Sequence, residues 1–289
     1  MTDAWSIRPF SSLEDYEACV ALQEETWGQG FSERVPTAIL KVSQILGGVA
    51  DGAWSADGRL LGFVFGMTGL RDGEPVHWSD MLAVRPEARS SGLGTALKHH
   101  QRARMLDTGI RTVLWTFDPL RARNAHLNFT LLGVRSAEYV EDMYGATDSP
   151  LHRGIGTDRL VVRWELDHPD VEARIAGTWQ PTGPWGDLPA ALDVLGSATG
   201  FERPGAPTLG LESHRLTVRD PADIGAIMET EPGLALEWRR RTRSALTHYI
   251  ARGWQVGAFL RDAASPRYLL VREARSRDAD HDSPPAPSS

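Results

Sequence analysis

Residues 82–95 constrain this chain more than any other stretch. The run Leu82-Ala83-Val84-Arg85-Pro86-Glu87-Ala88-Arg89-Ser90-Ser91-Gly92-Leu93-Gly94-Thr95 leads an apolar strand into a loop with two glycines and then into a helix. Glycines let the backbone turn tightly and come close to a ligand. The helix that follows presents unpaired N–H groups and the positive end of its dipole to the loop. Together these parts make an anion site suited to a diphosphate. Arg89 adds a guanidinium that can pair with phosphate oxygens. A dinucleotide fingerprint needs Gly-x-Gly-x-x-Gly, and only Gly92 and Gly94 precede the helix. A nucleotide P-loop needs Gly-Lys-Ser/Thr, which is absent.

Strands and helices alternate around this segment. Residues 5–8 read as a first strand. Ser11-Ser12-Leu13-Glu14 resembles a capping box, and Leu13, Tyr16, Val20 and Trp27 follow at helical spacings. A second helix starts at Pro36 and stops at Gly47-Gly48. Residues 49–54 and 60–67 read as strands joined through Asp57-Gly58, and 76–84 as another. A loop over 85–92, a helix over 94–108, a strand over 112–117, a helix over 123–132 closed by Gly133 and a strand over 160–166 complete the run. The order β-α-α-β-β-β-α-β-α-β-β predicts an α/β fold, a mixed central sheet with helices on both faces.

From about residue 177 to 210 the composition shifts to Pro and Gly, with Trp179 and Trp185 embedded. That pattern predicts a linker, or an arm that packs by its tryptophans. A strand over 214–219, helices over 221–228 and 234–252, and strands over 254–260 and 268–272 form a smaller C-terminal α+β extension. The chain divides into a domain over 1–170, a linker or arm over 171–210, the extension over 211–275 and a polar, disordered tail over 276–289.

Composition narrows the partners. The net charge of −7 argues against nucleic acid, whose phosphates need a surplus of Lys and Arg. The positive charge is nearly all Arg, and the only lysines are Lys41 and Lys98. No apolar run approaches the roughly 20 residues of a membrane helix, and residues 1–10 lack a signal-peptide pattern. A cytoplasmic protein without a membrane partner is expected. Cys19 is the single cysteine, so no internal disulfide or cysteine metal cluster can form. It reads as a small buried residue, and no metal is expected.

Arg89-x-x-Gly92-x-Gly94 behind Leu82-Ala83-Val84-x-Pro86, continued by Thr95-Ala96-Leu97, resembles motif A of the GCN5-related N-acetyltransferase (GNAT) superfamily. The element order over about residues 5–166 is similar to that fold. The resemblance implies a domain that takes acetyl-CoA or another acyl-CoA as co-substrate. It implies that backbone groups of Leu82 and Val84 hold the pantetheine arm. Loop amides of Arg89, Ser90, Ser91, Gly92, Leu93, Gly94 and Thr95 would hold the diphosphate. The segment from Asn124 to Val134 resembles the family's second signature and makes Asn124 a coenzyme contact. One position departs from the pattern. Many members carry a tyrosine four residues before the closing glycine, where it protonates the departing thiolate, and here that residue is Phe129.

The acid is then Tyr139 or Tyr144, from the next strand and loop, or water. The position of the glutamate that some members use as base is Trp78. Asp80 lies two residues on, and strand alternation puts it on the face of Trp78 and Leu82. Partly desolvated there, its carboxylate would have a raised pKa and accept the amine proton. The alternative is a strand-edge charge bonded to a backbone N–H or an Arg. Glu25 and His126 are further candidate bases, against readings as a solvated helix glutamate and a packed helix histidine. The implied chemistry is direct aminolysis, driven by positioning and oxyanion stabilisation and needing no covalent intermediate.

Residues 24–35 and 140–158 are expected to form the acceptor pocket. The second segment and its borders bring Tyr139, Tyr144, His152, Arg153, Asp158 and Arg159, which suit a small polar acceptor or an ordinary surface loop. Arg239 and Arg243 share one helix face, as a solvated basic face or as a grip on a substrate carboxylate or coenzyme phosphate. The extension is expected to pack on the catalytic domain or across a homodimer. The leading reading is an N-acyltransferase that moves an acetyl or succinyl group to a primary amine of a small molecule. The alternatives are a catalytically degenerate acyl-CoA-binding regulator or scaffold, and an enzyme acting on protein N-termini.

Overall fold

The computed structural model describes residues 5–145, 154–180, 185, 187–196, 200–261 and 266–272. His152, Arg153 and the tail over 276–289 lie outside the described residues.

Ser12 starts α1 (Leu13–Trp27) by accepting the Asp15 amide on its hydroxyl at 3.3 Å. Asp15 in turn binds Arg8 of β1 (Trp5–Pro9) through both oxygens, at 2.6 and 2.9 Å, which fixes helix to strand. Tyr16, Cys19 and Leu22 of α1, with Leu40 of α2 (Thr37–Ile45), cover Phe63, Phe65, Met81 and Ala83 on one face of the sheet. Cys19 is fully buried, and desolvation pushes its thiol up to about 12, so it is an inert core residue.

β2 (Val49–Ser55), β3 (Leu60–Arg71) and β4 (Glu74–Val84) form an antiparallel meander. On its other face α3 (Leu93–Asp107) packs Leu93 and Leu97 in one cluster with Val64, Leu82 and Val84. β5 (Thr112–Phe117) runs parallel to β4. The predicted helix over 123–132 begins as α4 (Ala122–Ala125) and widens into a π-helical turn over His126–Leu132, a change that residue periodicity does not signal. β6 (Arg135–Val140), β7 (Arg159–Glu165) and α5 (Pro169–Ile175) follow.

The segment read as a linker or arm is built into the fold. It supplies β8 (Ala190–Leu192), which joins the main sheet at its edge, and β9 (Val194–Leu195), which starts a ribbon with β10 (Arg203–Pro204). Its proline and glycine content is compatible with an edge strand, where fewer backbone groups need partners. Trp185 packs on Ala258 and Leu269, and Trp179 lies under the Arg174 guanidinium at 3.9 Å.

The extension comprises β11 (Arg215–Arg219), α6 (Ile224–Thr230), α7 (Pro232–Ile250), β12 (Gln255–Leu260) and β13 (Arg267–Val271). β12 pairs with β6 at Val256 and Ser136. Eleven strands therefore run in one sheet, in the order β1-β2-β3-β4-β5-β7-β6-β12-β13-β11-β8. One apolar cluster continues from Val49 to Leu270, so the extension packs on its own chain as part of a shared core.

Candidate active site

β4 and β5 pair only at His77 with Val113 and Trp78 with Leu114. Beyond these pairs the strands part, and a cleft of about 710 Å³ opens between residues 79–82 and 115–118. A bulge marks the point of parting. Phe65 of β3 faces Met81 and Gly66 faces Ser79, which leaves Asp80 without a partner. The Arg85 amide donates to the Leu61 carbonyl at 2.9 Å. Antiparallel pairing alternates, so the amides of Ala83 and Met81 also turn toward β3. Those of Leu82 and Val84 turn away from it, to the side where the cleft lies.

The loop that follows β4 has an irregular backbone. After a 3₁₀ turn over Pro86–Ala88, Ser90 takes φ 65° and Gly92, the N-cap of α3, takes φ 87°. Only glycine adopts the second value without strain. Gly94 has no such requirement. A Cβ there would meet nothing nearer than the Val84 side chain at 3.9 Å, so the surface above it is open. Arg89 folds back and donates Nε to the Val84 carbonyl at 3.0 Å, which braces the loop against the strand. Asn124 lines the cleft from the start of α4.

The bulge alters the expected face of Asp80. His77 and Ser79 both reach Gln101 on α3, at 2.9 and 3.0 Å. Trp78, lying between them, points to the α1–α2 face. Asp80 is the extra residue of the bulge and lines the cleft. Leu82 belongs to the opposite face, packed with Leu93 and Leu97. Trp78 and Leu82 therefore do not share a face, because the extra residue shifts the phase of the strand. Asp80 stands in the cleft wall, and desolvation there raises its pKa against the lowering hydrogen bond from Trp78.

The two tyrosines separate clearly. Tyr144 lines the cleft, with its hydroxyl 3.1 Å from Thr116 Oγ1 and the Arg159 guanidinium 5.0 Å from its ring centre. Tyr139 donates instead to Asp158, which Arg243 holds at 2.6 and 2.8 Å. Burial and the Asp158 charge push the Tyr139 phenol up, which makes it a poor proton donor. Phe129 is fully buried edge-to-face against Phe117 and Tyr268. Glu25 ion-pairs with Arg85, whose Nε also binds the Leu60 carbonyl at 2.7 Å, and neither residue lines the cleft. His126 stays outside the cleft as well.

The acceptor segments contribute Trp27, Phe31 and Glu33 from one side and Tyr144 and Thr157 from the other. Sequence reasoning missed Ser79, Lys98, Thr116 and Asp118, and it missed Asp223, Ile224 and Arg261, which the extension brings to the same cleft. Lys98 did carry a signal, because it lies beside Leu97 on the buried stripe formed by Leu93, Leu97, Gln101 and Met105. The others come from loops and strand ends whose placement depends on distant pairing. The expected basic face of α7 is corrected. Arg239 is buried on Asp118 at 2.8 Å and Arg243 is tied to Asp158, so neither is a solvated charge.

Among the described residues no group of three or more His, Cys, Asp or Glu side chains is placed to hold a metal ion. No helix among them is long and apolar enough to cross a membrane.

Residues 16–129 match the model of the Acetyltransferase (GNAT) family. Similar solved structures include the ribosomal-protein-S18-alanine N-acetyltransferase from Escherichia coli, at 17% identity over 57% of this chain and 95% of that one, with a TM-score of 0.44. The phosphinothricin acetyltransferase from Sinorhizobium meliloti in complex with AcCoA is 15% identical over 55% and 87%, at 0.46. An acetyltransferase of the GNAT family from Streptococcus pneumoniae is 17% identical over 55% and 97%, at 0.44. No curated protein matches the chain.

Proposed function

We propose that this protein is an acyl-CoA-dependent N-acyltransferase acting on the primary amine of a small molecule. The observation that carries the reading is the parting of β4 from β5, with the amides of Leu82 and Val84 turned away from β3 and the glycine loop following directly on β4. The residues present fit an acyl-CoA. Open space above Gly94 admits a diphosphate to the backbone, and the N–H groups opening α3 face that position.

Each side chain then has a task. Amides of residues 89–95 hold the diphosphate, those of Leu82 and Val84 align the pantetheine arm, and Asn124 flanks it. The amine enters between Trp27, Phe31 and Tyr144 and attacks the thioester carbonyl. Its nitrogen forms the new C–N bond and gives its proton to Asp80, whose raised pKa suits the transfer. The C–S bond breaks with its electron pair on sulfur, and the Tyr144 hydroxyl supplies the proton that completes the thiol. Phe129 cannot take that part, and the Tyr144 phenol in the cleft meets the need that its loss creates.

Glu33, Arg159, Asp223 and Arg261 give the acceptor end both signs of charge beside an aromatic pair. A small polar amine suits that lining, and the contribution of the extension favours it over a peptide. The test is thiol release from acetyl-CoA and succinyl-CoA with a panel of amines, amino acids and short peptides, beside calorimetry with each thioester. Release with small amines is expected. Tight binding with no release across the panel would favour a regulatory module, and release with peptides alone would move the reading to protein N-termini.

A further inference from the structure

The inner end of the cleft carries a polar cluster with no part in the steps above. Lys98 reaches from α3 to the point where β4 and β5 separate. Its Nζ lies 2.7 Å from Ser79 Oγ, 3.2 Å from Gln101 Oε1 and 3.8 Å from the Trp115 ring centre. Lys98 is only 3% exposed, yet it and Ser79 both line the cleft.

The cluster is oriented from behind. Gln101 Nε2 donates to His77 Nε2 at 2.9 Å, so the remaining His77 proton lies on Nδ1, 3.3 Å from Thr68 Oγ1. Gln101 therefore turns Oε1 toward Lys98 and Ser79, and the ammonium is held in one place.

Among the described residues no carboxylate ion-pairs with Lys98. His77, Asp80 and Asp118 lie on β4 and at the end of β5, the strands beside it. His77 is kept neutral, its pKa pushed down to about 3 by burial and then by the Lys98 charge. Asp80 lines the same cleft without an ion pair to Lys98, and Asp118 is bound to Arg239. Desolvation alone brings the Lys98 pKa down to about 7. A buried ammonium in this state gains strongly from an incoming anion.

Distance selects which anion. Ser79 precedes Leu82 by three residues, about 10 Å of extended strand and less across the bulge. From a thioester carbonyl at the Leu82 amide, three C–C bonds, a carboxylate oxygen and one hydrogen bond span about 7–8 Å. An acetyl group stops short of Lys98, and a butyryl group of the same length as succinyl sets a methyl against the ammonium.

We propose that Lys98 and Ser79 form an acyl-end subsite that selects a short acyl group ending in a carboxylate, the class of a succinyl thioester. The inference rests on the acyl-CoA reading given above and adds the identity of the donor.

Calorimetry with succinyl-CoA, butyryl-CoA and acetyl-CoA tests it without knowledge of the acceptor. The intact protein is expected to bind succinyl-CoA at least tenfold more tightly than butyryl-CoA. Lys98→Met should bring that ratio to about one or invert it, and Lys98→Arg should keep part of the preference. The ratio is the readout, so a variant that loses structure weakens both ligands alike and is set apart from one that loses selectivity. Equal affinities in the intact protein overturn the proposal, as does a preference that survives Lys98→Met. Binding of none of the three thioesters would instead remove the acyl-CoA reading itself, and this subsite with it.

Discussion

Arg239 of α7 places Nη2 2.8 Å from both carboxylate oxygens of Asp118, a residue 121 positions earlier at the end of β5. Its Nε donates to the Ile155 carbonyl at 3.0 Å. Both side chains are buried, and Asp118 lines the cleft. The long helix of the extension is therefore fastened to the wall of the candidate active site, and the first prediction follows. Removing one member of a buried pair strands the other charge, at a cost of about 3–5 kcal/mol. Arg239→Met should lower the unfolding free energy in urea by that amount. The double variant Asp118→Asn/Arg239→Met should lose clearly less than the two single losses added together.

The two loop glycines should behave differently. Gly92 sits at φ 87°, where an alanine is strained by about 1–2 kcal/mol whatever the space around it. Gly94 has neither a positive φ nor a crowding neighbour. Gly92→Ala should lower stability, whereas Gly94→Ala should leave the urea midpoint unchanged and weaken coenzyme A binding about tenfold or more. Unaltered affinity in Gly94→Ala would remove the argument for close backbone approach there.

Tyr144→Phe and Tyr139→Phe separate catalysis from structure. Loss of a proton donor should lower kcat by about 10²-fold or more, with little change in coenzyme affinity, and this is expected of Tyr144→Phe. Tyr139 binds the buried Asp158 carboxylate, so Tyr139→Phe should cost about 1–3 kcal/mol in a urea melt. The reverse pattern would reassign the acid to Tyr139.

Lys98 gives the stability a definite dependence on pH. Its folded pKa is about 7 against an ordinary 10.5, so the unfolded chain binds more protons between those values. Stability should rise with pH across that window, and the penalty is complete below about pH 7. Lys98→Met should stabilise the protein by about 3–5 kcal/mol at pH 6 and by little above pH 10. His77, lowered from 6.5 to about 3, acts in a separate window: its contribution is lost as the pH falls from about 6.5 toward 3. Urea midpoints between pH 4 and 10 check both.

Much of the local structure was legible from residues 5–166. The start of α1, the strand at 112–117 and the start of α3 depend on groups a few positions apart. The strand stands as read, while the cap falls on Ser12, one residue after the Ser11 of the Ser-x-x-Glu pattern, and α3 begins at Leu93, one residue early. The buried Cys19 and the packed tryptophans 179 and 185 also met expectation. The bulge at Asp80 was not legible, because it exists only relative to the register of β3. Arg239 and Arg243 looked like a surface stripe because their carboxylate partners are 121 and 85 positions away.

By itself, then, the amino-acid order determined the strand–loop–helix that opens α3 and the family model that residues 16–129 match, since capping, glycine geometry and strand patterning act over a few residues. Only the tertiary structure decided that Tyr144 enters the cleft while Tyr139 is locked to Asp158, that Lys98 stands at its inner end, and that residues 222–224 and 261 complete its wall. Those placements depend on which distant strands pair and which charges meet once water is excluded, and short-range spacing carries no record of either.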